Sequence, residues 1–236
     1  MLVFRHEDYS ETFFACGRRL IQQEYGRRLF SRTHCRATVL EMEAVILAAG
    51  SAERMGGHKL TLLYEKKPLI IHAVTAAIES CSRVVVVTGC FADEVTAVME
   101  EEGLTEDSRV RIVHNEHAGQ GQFSSTLVGL AAVTEGQDVA ISVGDAPLVT
   151  PFHYRFLAEQ LGAHEGVRVF VNGTPGHPML CSASLAASMV KSTGVSSVRE
   201  FLIGHDILEV EQKDPSWVTD IDDPTSYMLL VRPCKF

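Results

Sequence analysis

Ala44, Val45, Ile46, Leu47 and Ala48 form an unbroken apolar run that passes directly into Ala49, Gly50, Ser51, Ala52, Glu53, Arg54, Met55, Gly56 and Gly57. No other stretch restricts the fold as much. A strand with no polar side chain has no face for water, so both faces must be covered, as in an inner strand of a parallel sheet flanked by helices. In open α/β sheets the crevice beyond the carboxyl ends of the strands is the ligand site, and this strand ends in small residues that let a backbone come close to a guest. Consecutive amides in such a loop can form an anion-binding nest, and Arg54 and Lys59 place two cations beside it. A polyphosphate is the expected guest. The spacing matches neither GxxxxGK[ST] nor GxGxxG, and a plain strand-to-helix turn with solvated charges is the alternative.

From Glu43 onward the same kind of run recurs in alternation with helical patterns, the signature of a parallel sheet with crossover helices. Strands are expected at 84–88, 110–114, 138–143, 167–171 and near 207–210. Helices are expected from Pro68 to about Ser80, at 92–102, 125–133 and 151–161, with two more before the last strand and one closing the chain after Pro224. Residues 1–41 differ in composition, carrying seven arginines and no lysine. They read as an appendage without catalytic residues, with a helix after Ser10, and residues 42–236 as the catalytic domain. The net charge of -9 argues against a nucleic-acid surface, which needs clustered Lys and Arg. No apolar run reaches the roughly 18–20 residues of a membrane span. Six cysteines without metal-ligand spacing read as reduced thiols, which fits a cytoplasmic protein.

Two acidic segments follow buried or extended stretches. Asp145 lies in Gly144-Asp145-Ala146-Pro147, just after the strand expected at 138–143, where a carboxylate faces the same crevice. In Thr219-Asp220-Ile221-Asp222-Asp223-Pro224 the alternation puts Asp220 and Asp222 on one face of an extended segment. Magnesium is typically held by one or two carboxylates plus substrate phosphates, so Asp145 with Asp220 or Asp222 suits metal-assisted phosphoryl or nucleotidyl transfer. A turn-forming aspartate and an acid-rich helix start are the alternatives. Gly119, Gly121, Gln122, Ser124 and Ser125 precede a helix and can meet a base or phosphate, with an N-cap at Ser124 as the plainer reading. His177, between Gly176 and Pro178, can face a second substrate or be structural.

Taken in order, LAAGSAERMGGHK, GDAPLVT, GHPML and DIDDPTSY resemble the MobA-like nucleotidyltransferase family, and most of all its molybdenum cofactor cytidylyltransferase branch, over about Glu43 to Tyr227. The resemblance implies a Rossmann-like three-layer α/β/α sandwich of the nucleotide-diphospho-sugar transferase kind. It implies that Leu47, Ala48, Ala49 and Gly50 with Arg54 and Lys59 hold the triphosphate, that Asp145 binds Mg2+ together with Asp220 or Asp222, and that Gly121 and Ser125 contact the base. Ala49 stands where the guanylyltransferase branch tends to have glycine, so CTP is expected before GTP. The implied reaction moves CMP to a phosphorylated acceptor of molybdopterin type, and a molybdoenzyme or chaperone is the implied protein partner. A sugar phosphate or phosphorylated alcohol as acceptor, or a nucleotide-binding module without turnover, are the other readings. The sequence departs from the family pattern at Ala52, which fills a serine slot, and at Ser192-Thr193-Gly194, where relatives often carry Gly-Asp.

Overall fold

The computed structural model describes residues 39–51 and 59–232. The segment 1–38, with the helix expected after Ser10, lies outside the described residues, and so does the 52–58 stretch that contains Arg54.

The first strand, β1 (Leu40–Ala48), is buried from Met42 through Ala48, and its neighbours explain why. It pairs in parallel with β4 (Cys81–Thr88) on one side and β6 (Asp138–Val143) on the other. β5 (Val110–His114) pairs with β4 in parallel. Beyond β6 come β9 (Met179–Cys181), β7 (Gly166–Val171) and β10 (Ile207–Glu211), giving the order β10-β7-β9-β6-β1-β4-β5. The short β8 (Thr174–Pro175) folds back on β7, and β2 (Leu63–Tyr64) with β3 (Lys67–Pro68) makes a separate two-stranded ribbon.

One layer of helices contains α1 (Leu69–Ile78), α2 (Ala92–Glu101) and α4 (Pro151–Leu161), in which α2 and α4 both touch α1. The other pairs α3 (Gln122–Ala132) with α5 (Ala183–Val190). Gly129 lets α3 lie directly on the sheet, since a Cβ there would stand 2.4 Å from a Val45 methyl. Two short helices, α6 (Val198–Phe201) and α7 (Pro224–Val231), complete the described chain. The architecture is the expected three-layer sandwich on a mostly parallel sheet. Among the described residues no helix is long and apolar enough to cross a membrane.

Several expected boundaries hold to the residue, including 110–114, 138–143 and 151–161. Others shift. Pro68 belongs to β3 and precedes α1, which ends at Ile78. Strand β4 starts three residues early, at Cys81, because Cys81 is buried and pairs with Leu40. Gly121, at φ 104°, is the residue before α3 and occupies its cap position. Ser124 is therefore inside the first turn, where its hydroxyl donates to the Gly121 carbonyl, and is not the cap. The GHPML stretch, to which the sequence assigned no strand, runs into β9. That strand is antiparallel to both β6 and β7.

The topology fixes where a ligand can bind. From β1 the chain moves outward through β4 and β5, then crosses back to place β6 on the opposite side of β1. Loops leaving β1 and β6 diverge at this reversal and open a crevice between the two carboxyl ends.

Candidate active site

The crevice begins where β1 ends. Leu47, Ala48 and Ala49 are buried and Gly50 is exposed, so the chain reaches solvent at the expected glycine. The Gly144 amide donates to the Leu47 carbonyl at 2.9 Å, which joins the two strand ends. A Cβ on Gly144 would meet Ile70 at 2.7 Å and Leu60 at 3.3 Å. Glycine here therefore lets the β6 turn settle against α1 and the Lys59 turn while presenting Asp145, which is 8% exposed.

Lys59 opens a one-turn 3-10 helix, Lys59–Thr61, anchored by buried Leu60. Its ammonium donates to Asp145 Oδ2 and, at 3.1 Å, to Asp222 Oδ1. Burial alone would make Lys59 a weaker base, but the charges of Asp145 and then Asp222 outweigh it and raise its pKa above the ordinary lysine value. The ammonium thus stays charged. Asp222 is delivered by a second backbone tie, the Ile221 amide donating to the Asp145 carbonyl at 3.0 Å. Ile221 is fully buried, so the residues on either side of it point away from the core, as the Asp-Ile-Asp alternation requires.

Asp220 remains exposed as a residue. Its carboxyl is nevertheless pushed above the usual carboxylate range by local desolvation first, and then by the negative charges of Asp145 and Asp222. Asp223 has a different task. It caps α7, accepting from the Ser226 amide at 2.8 Å, with Pro224 at the first helical position. The acid-rich run is therefore divided: Asp223 starts a helix while Asp220 and Asp222 face the crevice.

The donor set fits a hard divalent ion. Asp145 and Asp222 offer carboxylate oxygens to one shared cation, here an ammonium, and magnesium favours oxygen ligands. Among the described residues no group of three His, Cys, Asp or Glu side chains forms a complete metal cage.

Gly121 and Ser125 lie at the start of α3. Gly121 is exposed and needs its positive φ, while Ser125 is 3% exposed and its hydroxyl accepts from Asn115 Nδ2 at 2.9 Å. Asn115 also donates to Ser124 and accepts from the His117 amide, so this buried side chain organises the whole turn before α3. Its role was not legible from the sequence, although an asparagine immediately after a strand is a turn signal. Gly89 is the second unforeseen residue. A Cβ on it would stand 2.7 Å from the Ala49 carbonyl and 2.7 Å from the Ala118 Cβ, so its absence allows the β1 loop and the Ala118–Gln120 turn to touch the end of β4 together.

His177 sits apart from the Lys59 cluster. Its amide donates to the Trp217 carbonyl at 2.6 Å, and Gly176 permits this contact because a Cβ there would lie 2.6 Å from the same oxygen. The Nδ1 atom is buried with no hydrogen-bond partner among the described residues. Desolvation lowers its pKa, against the pull of Asp145 and with the push of Arg168, so the ring is held neutral. Trp217 is supported in turn by His153, 4.3 Å away between ring centroids, whose Nδ1 accepts from the Thr150 amide and whose Nε2 donates to Ser216 Oγ at 2.9 Å.

Comparisons with known proteins bear on the family and the fold. The model of the MobA-like NTP transferase domain matches residues 44–210. The molybdenum cofactor cytidylyltransferase of Escherichia coli K12 is 28% identical over 187 residues, which span 79% of this chain and 94% of that protein. Among solved structures, Rv0371c of Mycobacterium tuberculosis H37Rv superposes with a TM-score of 0.68 at 22% identity, covering 81% of this chain and 98% of the other. That protein has also been solved in complex with manganese. The nucleotidyl transferase Mth528 of Methanothermobacter gives a TM-score of 0.66 at 24% identity, covering 80% of this chain and 94% of that one.

Proposed function

Because the chain belongs to the MobA-like NTP transferase domain family, we propose that it transfers CMP from CTP to a phosphorylated acceptor of molybdopterin type and releases pyrophosphate. The observation that carries this reading is the convergence of Lys59, Asp145 and Asp222 at the reversal of strand order. An oxygen of the acceptor phosphate attacks the α-phosphorus in line, the bond from that phosphorus to the bridging oxygen breaks, and pyrophosphate departs with the electron pair. Such chemistry rests on positioning and charge stabilisation, and an acceptor phosphate that is already ionised needs no general base.

Each residue has a defined part. The amides that follow Ala48 hold the triphosphate, with Arg54 and Lys59 as its cations. Lys59 is suited to this because its neighbours keep it protonated. Asp145 and Asp222 would hold Mg2+, which when bound supplies Lewis-acid stabilisation of charge on the phosphate oxygens. Asp220 adds negative potential that favours the ion. Gly121 and Ser125 address the base, with the Ser125 hydroxyl proton left available because its oxygen accepts from Asn115. His177 faces the acceptor. Cytidine is the proposed base over guanosine because Ala49 stands where the guanylyltransferase branch tends to have glycine. The activity belongs to the cytoplasm, with an apo-molybdoenzyme or its chaperone receiving the product.

The test is to incubate the full chain with each nucleoside triphosphate in turn, Mg2+ and molybdopterin, and to measure pyrophosphate. Release that is fastest with CTP is expected. No release with CTP, or faster release with GTP, overturns the assignment. Release with a sugar phosphate in place of molybdopterin would move the acceptor and keep the chemistry.

A further inference from the structure

A cavity of about 450 Å³, away from the Lys59 cluster, is lined by β7, its neighbour the edge strand β10, and the short helix α6 with the residues after it. Its walls include Arg168, Phe170, Pro175, Arg199, Ile203 and Glu209. In the β7 strand the valines at 167, 169 and 171 are buried, so Arg168 and Phe170 share the opposite face. The Arg168 guanidinium lies 5.2 Å from the centre of the Phe170 ring, which directs it along the strand toward the carboxyl end. Its Nε is buried and has no hydrogen-bond partner among the described residues.

This arrangement is costly without a guest. A guanidinium presents its donors in a fixed fork and is favoured at sites that bind carboxylate or phosphate, and a buried donor left unpaired is unfavourable. Burial holds Arg168 below the ordinary arginine value, and the second guanidinium, Arg199, adds to that effect. Glu209 stands across from Arg168 in the parallel register and favours its charge, yet no ion pair forms between them. Two cations face the same cavity with one carboxylate that neither engages. Exposed Ile203 (79%) and Pro175 supply an apolar wall beside them.

We infer that this cavity binds the acceptor through a second anionic group, gripped by Arg168 and Arg199, while the acceptor's body lies against Phe170, Pro175 and Ile203. The strand register links the cavity to the reaction centre: Pro175 lines the cavity and pairs with Phe170, and the chain runs on through His177 into β9, whose Met179 pairs with Ile141 of the strand that leads into Asp145. An acceptor spanning the two would place its phosphate at Lys59 and Asp145 and its remote anion in the cavity. The inference rests on the nucleotidyl-transfer reading and names how its acceptor is selected.

Arg199→Gln and Arg168→Gln separate the two ideas. Arg199 is exposed, so its variant keeps the fold, and both variants are first checked by thermal melting. With CTP, Mg2+ and molybdopterin, each is expected to raise KM for the acceptor at least tenfold while kcat and KM for CTP stay within twofold. In parallel, inorganic phosphate is titrated and followed by NMR on the amides of 168–175 and 199–203. The parent and Lys59→Met should show saturable shifts there, and Arg199→Gln should not. Unchanged acceptor KM in both variants, a rise in KM for CTP instead, or phosphate shifts that persist in Arg199→Gln overturn the cavity assignment. A parent chain that releases no pyrophosphate with any acceptor overturns the transfer reading itself and the acceptor role with it.

Discussion

Lys59→Met removes the one ammonium that Asp145 and Asp222 share and leaves a side chain of similar length. The size of the effect follows from exposure. The Asp222 side chain is 39% exposed, so its contact behaves as a surface pair worth at most about 1 kcal/mol. The side chains of Lys59 and Asp145 are 16% and 11% exposed, and a hydrogen bond between charged groups so enclosed contributes about 1.5–3 kcal/mol. The expected loss is therefore about 2–4 kcal/mol. In a chain of this size each kcal/mol lowers Tm by about 2–4 °C, so the variant should melt about 5–15 °C below the parent at pH 7.5. Two further readouts distinguish an electrostatic origin from lost packing. Asp145→Asn added to Lys59→Met should cost less than the sum of the two single changes, with a coupling above about 1 kcal/mol in the double-mutant cycle. Millimolar Mg2+ should raise the Tm of Lys59→Met by more than that of the parent, because the carboxylates no longer share an ammonium and an ion that binds the folded state stabilises it. A Tm within about 2 °C of the parent together with zero coupling would refute the argument.

Asp145→Asn should lower Tm by no more than Lys59→Met does and lose at least about a hundredfold in kcat at saturating Mg2+, because an amide cannot supply an anionic ligand and several kcal/mol of charge stabilisation are at stake; parental kcat would make Asp145 a turn residue. Asp220→Asn should raise Tm at pH 7: the folded state holds this carboxyl above its ordinary value of 3.8, so its charge is unfavourable above the folded pKa, and the gain should vanish as the pH falls to 3.8. His153 supplies an acid limb of opposite sense. Burial lowers its pKa from 6.5 to about 4, so the unfolded chain binds the proton first and stability falls between those values by about 3 kcal/mol; urea titrations across that range should show the limb, and His153→Gln should flatten it.

The inner strands were legible because β1, β4 and β6 are covered on both faces and each reads as an apolar run. β9 was not legible. Its three residues carry no period of their own, and it exists because β6 and β7 leave a gap that only an antiparallel segment fills. The glycine loop and the acids were legible as candidates, since strand ends in α/β sheets are where sites form. Their assembly was not, because Lys59 finds its partners 86 and 163 residues away. Local sequence likewise could not divide the DIDDP acids; the burial of Ile221 and the capping geometry of Asp223 do so. Arg168 escaped notice because a lone arginine in a strand has no local signal, and only the approach of α6 makes it a pair.

The contact at Gly89 makes positions 49, 89 and 118 a single unit of inheritance. A Cβ at 89 would stand within 3 Å of both alanines, so the smallest residue is already in place at the centre and has nothing left to give up. Any side chain at 89 must displace both alanines together. An alanine at 89 would therefore part the β1 loop and the Ala118–Gln120 turn from the end of β4 at the same time.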